Sequence, residues 1–323
     1  MHRFKNILVV CDEGSAHGAA LQRAEWLAET NSAHVTLMDV STVEPGAITR
    51  VVAQIKGIEA AGFEERVMKS FQDRLEKLAE PMRSKGIDVT TVVQQGSMFL
   101  HVIQQVLRAG HDLVVKGAEQ TPGKPVLRGP DMHLLRKCPC PVWILNAAAP
   151  VKTSRILAAL DPDPADPVRG GLAQTVMQLA TSLAQRDGAR LDAMNVWRLQ
   201  EESFLRGGLA PVPTEDVEKL VALESDSSLA RLAKLTDPYV EEVKGLRVLH
   251  VQGTPEDVIP DHVAAEGIDT VIMGSVGRTG ISGLFIGNTA ETILNRVTCS
   301  VLAVKPEGFV SPVTLDDGDT SHG

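Results

Sequence analysis

A chain of 323 residues, 43% of them hydrophobic and with mean hydropathy +0.01, is long enough for about two globular domains and apolar enough to bury a core in each. A formal charge of -9 with 3% aromatic residues lacks the basic stripes and stacking side chains of a nucleic-acid surface, which excludes that class of partner. The apolar run near the N-terminus, Ile7 to Cys11, ends on Asp12-Glu13 and is too short for a signal or a membrane span, so a cytoplasmic protein without a membrane partner is expected.

In chain order, "NILVVCDE" (Asn6 to Glu13) reads as a buried strand. A helix with apolar positions Ala20, Leu21, Ala24, Leu27 and Ala28 follows, and then a second strand, "AHVTLMDV". A polar-faced helical stretch, Glu64 to Arg83, leads to "DVTTVVQQGS", a further helix, "AGHDLVVKG" and "LLRKCPCPVWIL". The pattern then begins again. "RILAALDP" (Arg155 to Pro162) answers the first strand, and Leu172, Val176, Leu179, Ala180 and Leu183 mark its helix. "ARLDAMNV", an amphipathic stretch from Glu215 to Lys244, "LRVLHVQGT", "EGIDTVIMG" and "ILNRVTCSVLAV" complete the second copy. Gly96 and Gly117 are 21 residues apart, as are Gly253 and Gly274. A repeat of domain size indicates duplication, and strands that are apolar throughout and alternate with helices indicate parallel sheets covered on both faces. The fold class is therefore α/β, with two tandem doubly wound five-stranded parallel-sheet domains of Rossmann-like type. They span residues 1–148 and 152–306, and a polar tail, 307–323, is expected to be disordered.

Ligands of such sheets bind beyond the carboxyl ends of the strands at the topological switch point. That places Asp12 and Asp161, which end the first strand of each copy, beside the segment after each fourth strand. Capping of the following helix is the competing role for both aspartates. In the second copy this segment reads "GSVGRTGISGLFIGNTAE", with Gly274 and Gly277 able to fold the chain around an anion. Gly287 precedes Asn288-Thr289, residues suited to a helix N-terminus that would face phosphate oxygens, and Arg278 adds a cation. A Walker A loop is excluded, because Gly287 is followed by Asn and preceded five residues earlier by Ser282. A dinucleotide fingerprint is excluded as well: the loop after the first strand reads Asp161-Pro-Asp-Pro, and the glycines follow the fourth strand.

Gly274-x2-Gly277-x9-Gly287 followed by a small polar residue resembles the nucleotide loop of the universal stress protein superfamily. The duplication, "ILVVCDEGS" and "HLLRKCPCPVWIL" resemble its tandem two-domain class. The resemblance implies a site for ATP or a related adenine nucleotide, with Mg2+ as an accompanying ion. Asp161 and Val196 would lie at the base end, and Gly274, Gly277, Gly287, Asn288 and Thr289 around ribose and phosphates, with Met273 and Arg278 as further nucleotide-binding residues. It also implies that the two domains pair through "VWIL" and "VLAV" as an intramolecular pseudo-dimer, with homodimers and a regulatory protein partner as further associations. The first copy departs from the pattern: Gly117 is kept, Gln120 replaces the second glycine, and "TPGKPVLRGPDM" carries three prolines with Lys124 and Arg128. Nucleotide is therefore expected in the second domain. The function expected is a nucleotide-binding stress-response regulator without efficient catalysis. The alternatives are a slow ATPase and a carrier of a lipid-like or small molecule or scaffold whose nucleotide sites are degenerate.

Four cysteines, Cys11, Cys138, Cys140 and Cys299, make no disulfide framework in a chain of this length. Cys138-Pro-Cys140 with His133 invites a zinc reading, but the second ligand pair that zinc needs is missing nearby, and two thiols at a strand entrance is the plainer reading. The nine histidines are dispersed and assemble no catalytic triad.

Overall fold

The computed structural model describes residues 4–12, 17–41, 62–118, 127, 129–163, 166–208, 212–275 and 286–315. They form two compact units. The first contains β1 (Asn6–Val10), α1 (His17–Asn31), β2 (His34–Ser41), α2 (Phe63–Ser84), β3 (Val89–Gln95), α3 (Met98–Ala109), β4 (Leu113–Gly117), α4 (Gly129–Lys137) and β5 (Val142–Leu145). Its strands lie in the order β3-β2-β1-β4-β5, and every neighbouring pair is parallel.

The second unit repeats this plan. It contains β6 (Arg155–Ala159), α5 (Pro167–Asp187), β7 (Arg190–Trp197), α6 (Glu202–Gly207), α7 (Thr214–Thr236), β8 (Arg247–Gln252), α8 (Pro255–Glu266), β9 (Thr270–Gly274), α9 (Asn288–Arg296) and β10 (Ser300–Val304). The order β8-β7-β6-β9-β10 is again parallel throughout. The central strands are buried on both faces, with Ile7 to Val10, Val114, Val115, Ile156 to Ala158, Val271 and Ile272 fully enclosed. This is why they read as continuous apolar runs with no alternation. Of the apolar positions expected on the first helix of each unit, Ala20, Ala24, Leu27 and Ala28 in α1 and Leu172, Val176, Leu179, Ala180 and Leu183 in α5 are buried, whereas Leu21 is only half-buried and α1 buries Arg23 and Asn31 besides.

Equivalent polar residues tie each sheet together. Asp112, just before β4, accepts from the amides of Lys5 at 2.7 Å and Asn6 at 3.0 Å. Asp269, before β9, does the same for Ser154 at 2.7 Å and Arg155 at 2.8 Å. After β3 and β8 the chain turns through Gly96 (φ 133°) and Gly253 (φ 156°), conformations that favour glycine. A Cβ there would lie 2.7 Å from His101 Nε2 and 2.8 Å from Val258 Cγ2, so the turn and the helix behind it both require the missing side chain.

The sequence pattern extends a helix to Lys244, but α7 stops at Thr236 and gives way to a 3-10 turn at Asp237–Tyr239. Pro238 accounts for the break: Asp237 keeps helical geometry and its N–H still reaches the Ala233 carbonyl, but Pro238 has no N–H with which to continue the ladder. Of the tail expected to be disordered, residues 309–315 pack against the first unit: Val313 is buried, and Gln104 Nε2 donates to the Thr314 carbonyl at 3.2 Å. Among the described residues no helix is long and apolar enough to cross a membrane.

Candidate functional site

In the second unit the strand order reverses between β6 and β9, so the switch-point crevice opens beyond Ala159 and Gly274. Its floor is built by strand-end hydrogen bonds. Leu160 N–H donates to the Met194 carbonyl at 2.8 Å, and Asn195 Nδ2 donates to the Leu160 carbonyl at 3.0 Å. Ser228 Oγ donates to Asn195 Oδ1 at 2.8 Å, which orients the amide. On the other side Ser275, fully buried, donates from its amide to the Val304 carbonyl at 3.1 Å, and its own carbonyl accepts from Gly287 N–H at 3.1 Å. The two ends of the glycine segment are thus pinned together, while Gly277 and Arg278 lie outside the described residues.

The expected site residues that are described gather at this crevice with roles that differ in detail. Asp161 is exposed just beyond β6, Val196 is half-buried near the end of β7, and Met273 is buried at the end of β9. Asp161 does not cap the next helix. Asp166 does, accepting from the amides of Val168 at 3.0 Å and Arg169 at 3.2 Å, and these contacts hold its carboxyl below the usual range. Asp161 instead accepts from Arg169 Nη1 at 3.0 Å, and the same guanidinium binds Asp163 and Asp166. One cation therefore serves three carboxylates, and this corner stays acidic.

Helix α9 begins one residue earlier than a cap at Asn288 would place it. Gly287 is the N-cap, at φ -64° and ψ 145°, so Asn288 is the first helical residue and not the cap. The first intrahelical bond runs from Glu291 N–H to the Gly287 carbonyl at 2.8 Å, which leaves the amides of Asn288, Thr289 and Ala290 as the orphan donors of the helix start. They are the groups available to an anion. The Thr289 hydroxyl is committed elsewhere: it donates to Glu256 Oε1 at 2.6 Å and joins α9 to α8.

Gly274 has a packing role that the sequence does not disclose. A Cβ on it would lie 2.5 Å from Leu172 Cδ2 and 3.0 Å from Leu172 Cγ. Gly274→Ala is expected to destabilise the second unit by about 1–3 kcal/mol through overpacking. Combining it with Leu172→Ala should give less loss than the two single effects added, in a denaturant-unfolding double-mutant cycle. Additive losses would show that the glycine does not act through Leu172.

The first unit presents the same crevice with different contents. Lys116, fully buried on β4, lies 3.1 Å from Asp12 Oδ2 and 3.1 Å from Asp131 Oδ1. Asp39 on β2 is ion-paired with Arg74, whose Nη2 also donates to the Cys11 carbonyl at 3.1 Å. Burial raises the Asp39 carboxyl, outweighing that pairing. Gln120, Lys124 and Arg128 lie outside the described residues. Cys138 and Cys140 bring their sulfurs to 3.6 Å in a buried position, while His133 stacks on Phe99 with centroids 4.5 Å apart. Among the described residues no three His, Cys, Asp or Glu side chains are placed to hold a metal ion.

Sequence reasoning missed Lys116, Asp131 and Arg169. The available signal was a lysine inside the buried strand "LVVKG" and an arginine following three closely spaced aspartates, since charges in such positions need partners.

Fold and crevice together define a tandem α/β protein of the doubly wound class, duplicated in sequence and divergent at its two switch points. The chain belongs to the universal stress protein family, which matches residues 3–146 and 153–305. It is 29% identical to universal stress protein E of Escherichia coli K12, over 98% of this chain and 99% of that protein. It is 26% identical to the universal stress protein E homolog of Haemophilus influenzae, over 94% and 98%. Among solved structures, a protein of unknown function from Pseudomonas aeruginosa PAO1 shares the fold at TM-score 0.69 with 24% identity, covering 94% of this chain and 93% of that one. A universal stress protein from Archaeoglobus fulgidus does so at TM-score 0.61 with 16% identity, covering 93% and 98%.

Proposed function

We propose that this chain is a stress-response regulator that binds ATP or a related adenine nucleotide at the second unit's crevice and does not turn it over efficiently. The observation that carries the reading is the start of α9 at Gly287, beyond the switch point of β6 and β9, with its orphan amides directed by the same turn that closes the glycine segment. Hydrolysis fits less well, because efficient phosphoryl transfer needs groups aimed at the transferring phosphate. Among the described residues, the Arg169 guanidinium and the Thr289 hydroxyl are engaged by the three aspartates and by Glu256.

Calorimetric titration of ATP with Mg2+ tests the reading. Wild type is expected to bind one nucleotide per chain and Gly277→Arg none, with no accumulation of ADP beyond that variant's background. Absence of heat in the wild type would remove the nucleotide reading.

A further inference from the structure

The two sheets can be superposed residue by residue through their registers. Ile7 pairs with Leu113 in one, and Ile156 with Thr270 in the other, so Lys116 on β4 holds the place of Met273 on β9. Asp131 is the third residue of α4, and Ala290 is the third residue of α9. A buried methionine and alanine in the second unit are thus replaced by a buried lysine and aspartate in the first.

Lysine and aspartate almost never enter a core unless paired. Here the pairing joins three elements: Lys116 Nζ on β4 meets Asp12, just past β1, and Asp131 on the first turn of α4, each at 3.1 Å, and donates to the Gly117 carbonyl at 3.1 Å. Burial alone would lower the Lys116 pKa. Asp131 and then Asp12 outweigh burial and hold the ammonium above the usual lysine value, so it is charged at neutral pH. A carboxylate on the first turn of a helix is where an incoming anion is otherwise favoured.

We infer that the first unit carries its own permanent anion: the Asp131 carboxylate, clamped by Lys116, occupies the place at the switch-point crevice that an external anion would take. The crevice is internally satisfied, and its contribution to the protein is to lock β1, β4 and α4 together. This holds whether or not the second unit binds nucleotide, and it is tested without nucleotide.

Removing the carboxylate should turn the internal anion into a site for an added one. Asp131→Ala leaves the Lys116 ammonium unpaired on one side, and formate has the size of the group removed. Thermal melts at constant ionic strength should show Asp131→Ala falling by roughly 6–15 °C and recovering about 5–10 °C when formate saturates the gap. Wild type should not respond. Neither should Lys116→Met combined with Asp131→Ala, which writes in the methionine and alanine of the second unit. Asp131→Asn, which keeps an acceptor beside Lys116, is to be run in the same series. Its amide fills the gap, so it should melt below wild type without a formate response; if Asp131→Ala does not fold in buffer, folding that returns in formate and not in chloride at equal ionic strength supports the inference, and no return overturns it. A formate response equal in the single and double variants, or no response beyond that of wild type, overturns the inference.

Discussion

Gly287→Asp is expected to weaken ATP binding by about 100-fold or more while leaving the second unit folded. Position 287 is the N-cap of α9 with φ -64° and ψ 145°, a conformation open to any residue, and aspartate is among the preferred N-caps. The new carboxylate would satisfy an orphan amide and favour the helix dipole, so stability should be unchanged or rise by about 0.5 kcal/mol. It would also place a negative charge within roughly 4 Å of any phosphate held by those amides. At an effective dielectric near 20 that repulsion is about 4 kcal/mol, before screening by Mg2+ and salt reduces it. Calorimetry for affinity and urea unfolding for stability give independent readouts. Undiminished affinity in a folded Gly287→Asp protein would show that phosphate does not meet the start of α9.

Asp192→Ala is expected to give the largest stability loss in the second unit, about 3–4 kcal/mol at neutral pH. Asp192 is fully buried near the start of β7. Arg247 Nε and Nη2 reach its two oxygens at 2.8 and 2.6 Å, and His262 Nε2 is 2.9 Å from Oδ2. Removing the carboxylate leaves these groups without the partner around which the N-terminal ends of β7 and β8 meet. Burial alone would raise the Asp192 pKa, but its hydrogen bonds to Arg247 and His262 and the charges of Arg190 and Arg247 lower it below the ordinary value. A depressed carboxyl stabilises the fold above the unfolded-state value of about 3.9, and the contribution is lost as pH falls through the lower folded value. Unfolding free energies measured from pH 7 down to pH 2 should therefore converge between wild type and variant below about pH 4. A constant gap across that range would show that the loss comes from packing and not from the charge.

Much of the fold was legible because duplication states each element twice. "NILVVCDE" and "RILAALDP" are buried strands whose neighbours cover both faces, so composition alone identifies them, and the paired glycines at 96 and 253 mark equivalent turns. The site was legible as a location and less so as a set of contacts. Asp161 and Thr289 are polar residues in the right places, but which partner each one chooses is a tertiary fact. Arg169 lies eight residues beyond Asp161, and Glu256 lies 33 residues before Thr289. Gly274 illustrates the same limit, since the spacing of glycines cannot distinguish room for a ligand from room for Leu172. The Lys116 pairing joins residues from β4, the end of β1 and α4, and no local pattern in "LVVKG" names them.

Residues 309–315 follow the second unit in the chain yet belong with the first, where Val313 is enclosed and the Thr314 carbonyl is held by Gln104. Dissection of this polypeptide at the boundary near residue 151 therefore removes from the N-terminal half a piece of its own surface. A recombinant N-terminal half needs that short peptide grafted back, by linker or in trans, to be a fair specimen of the intact protein.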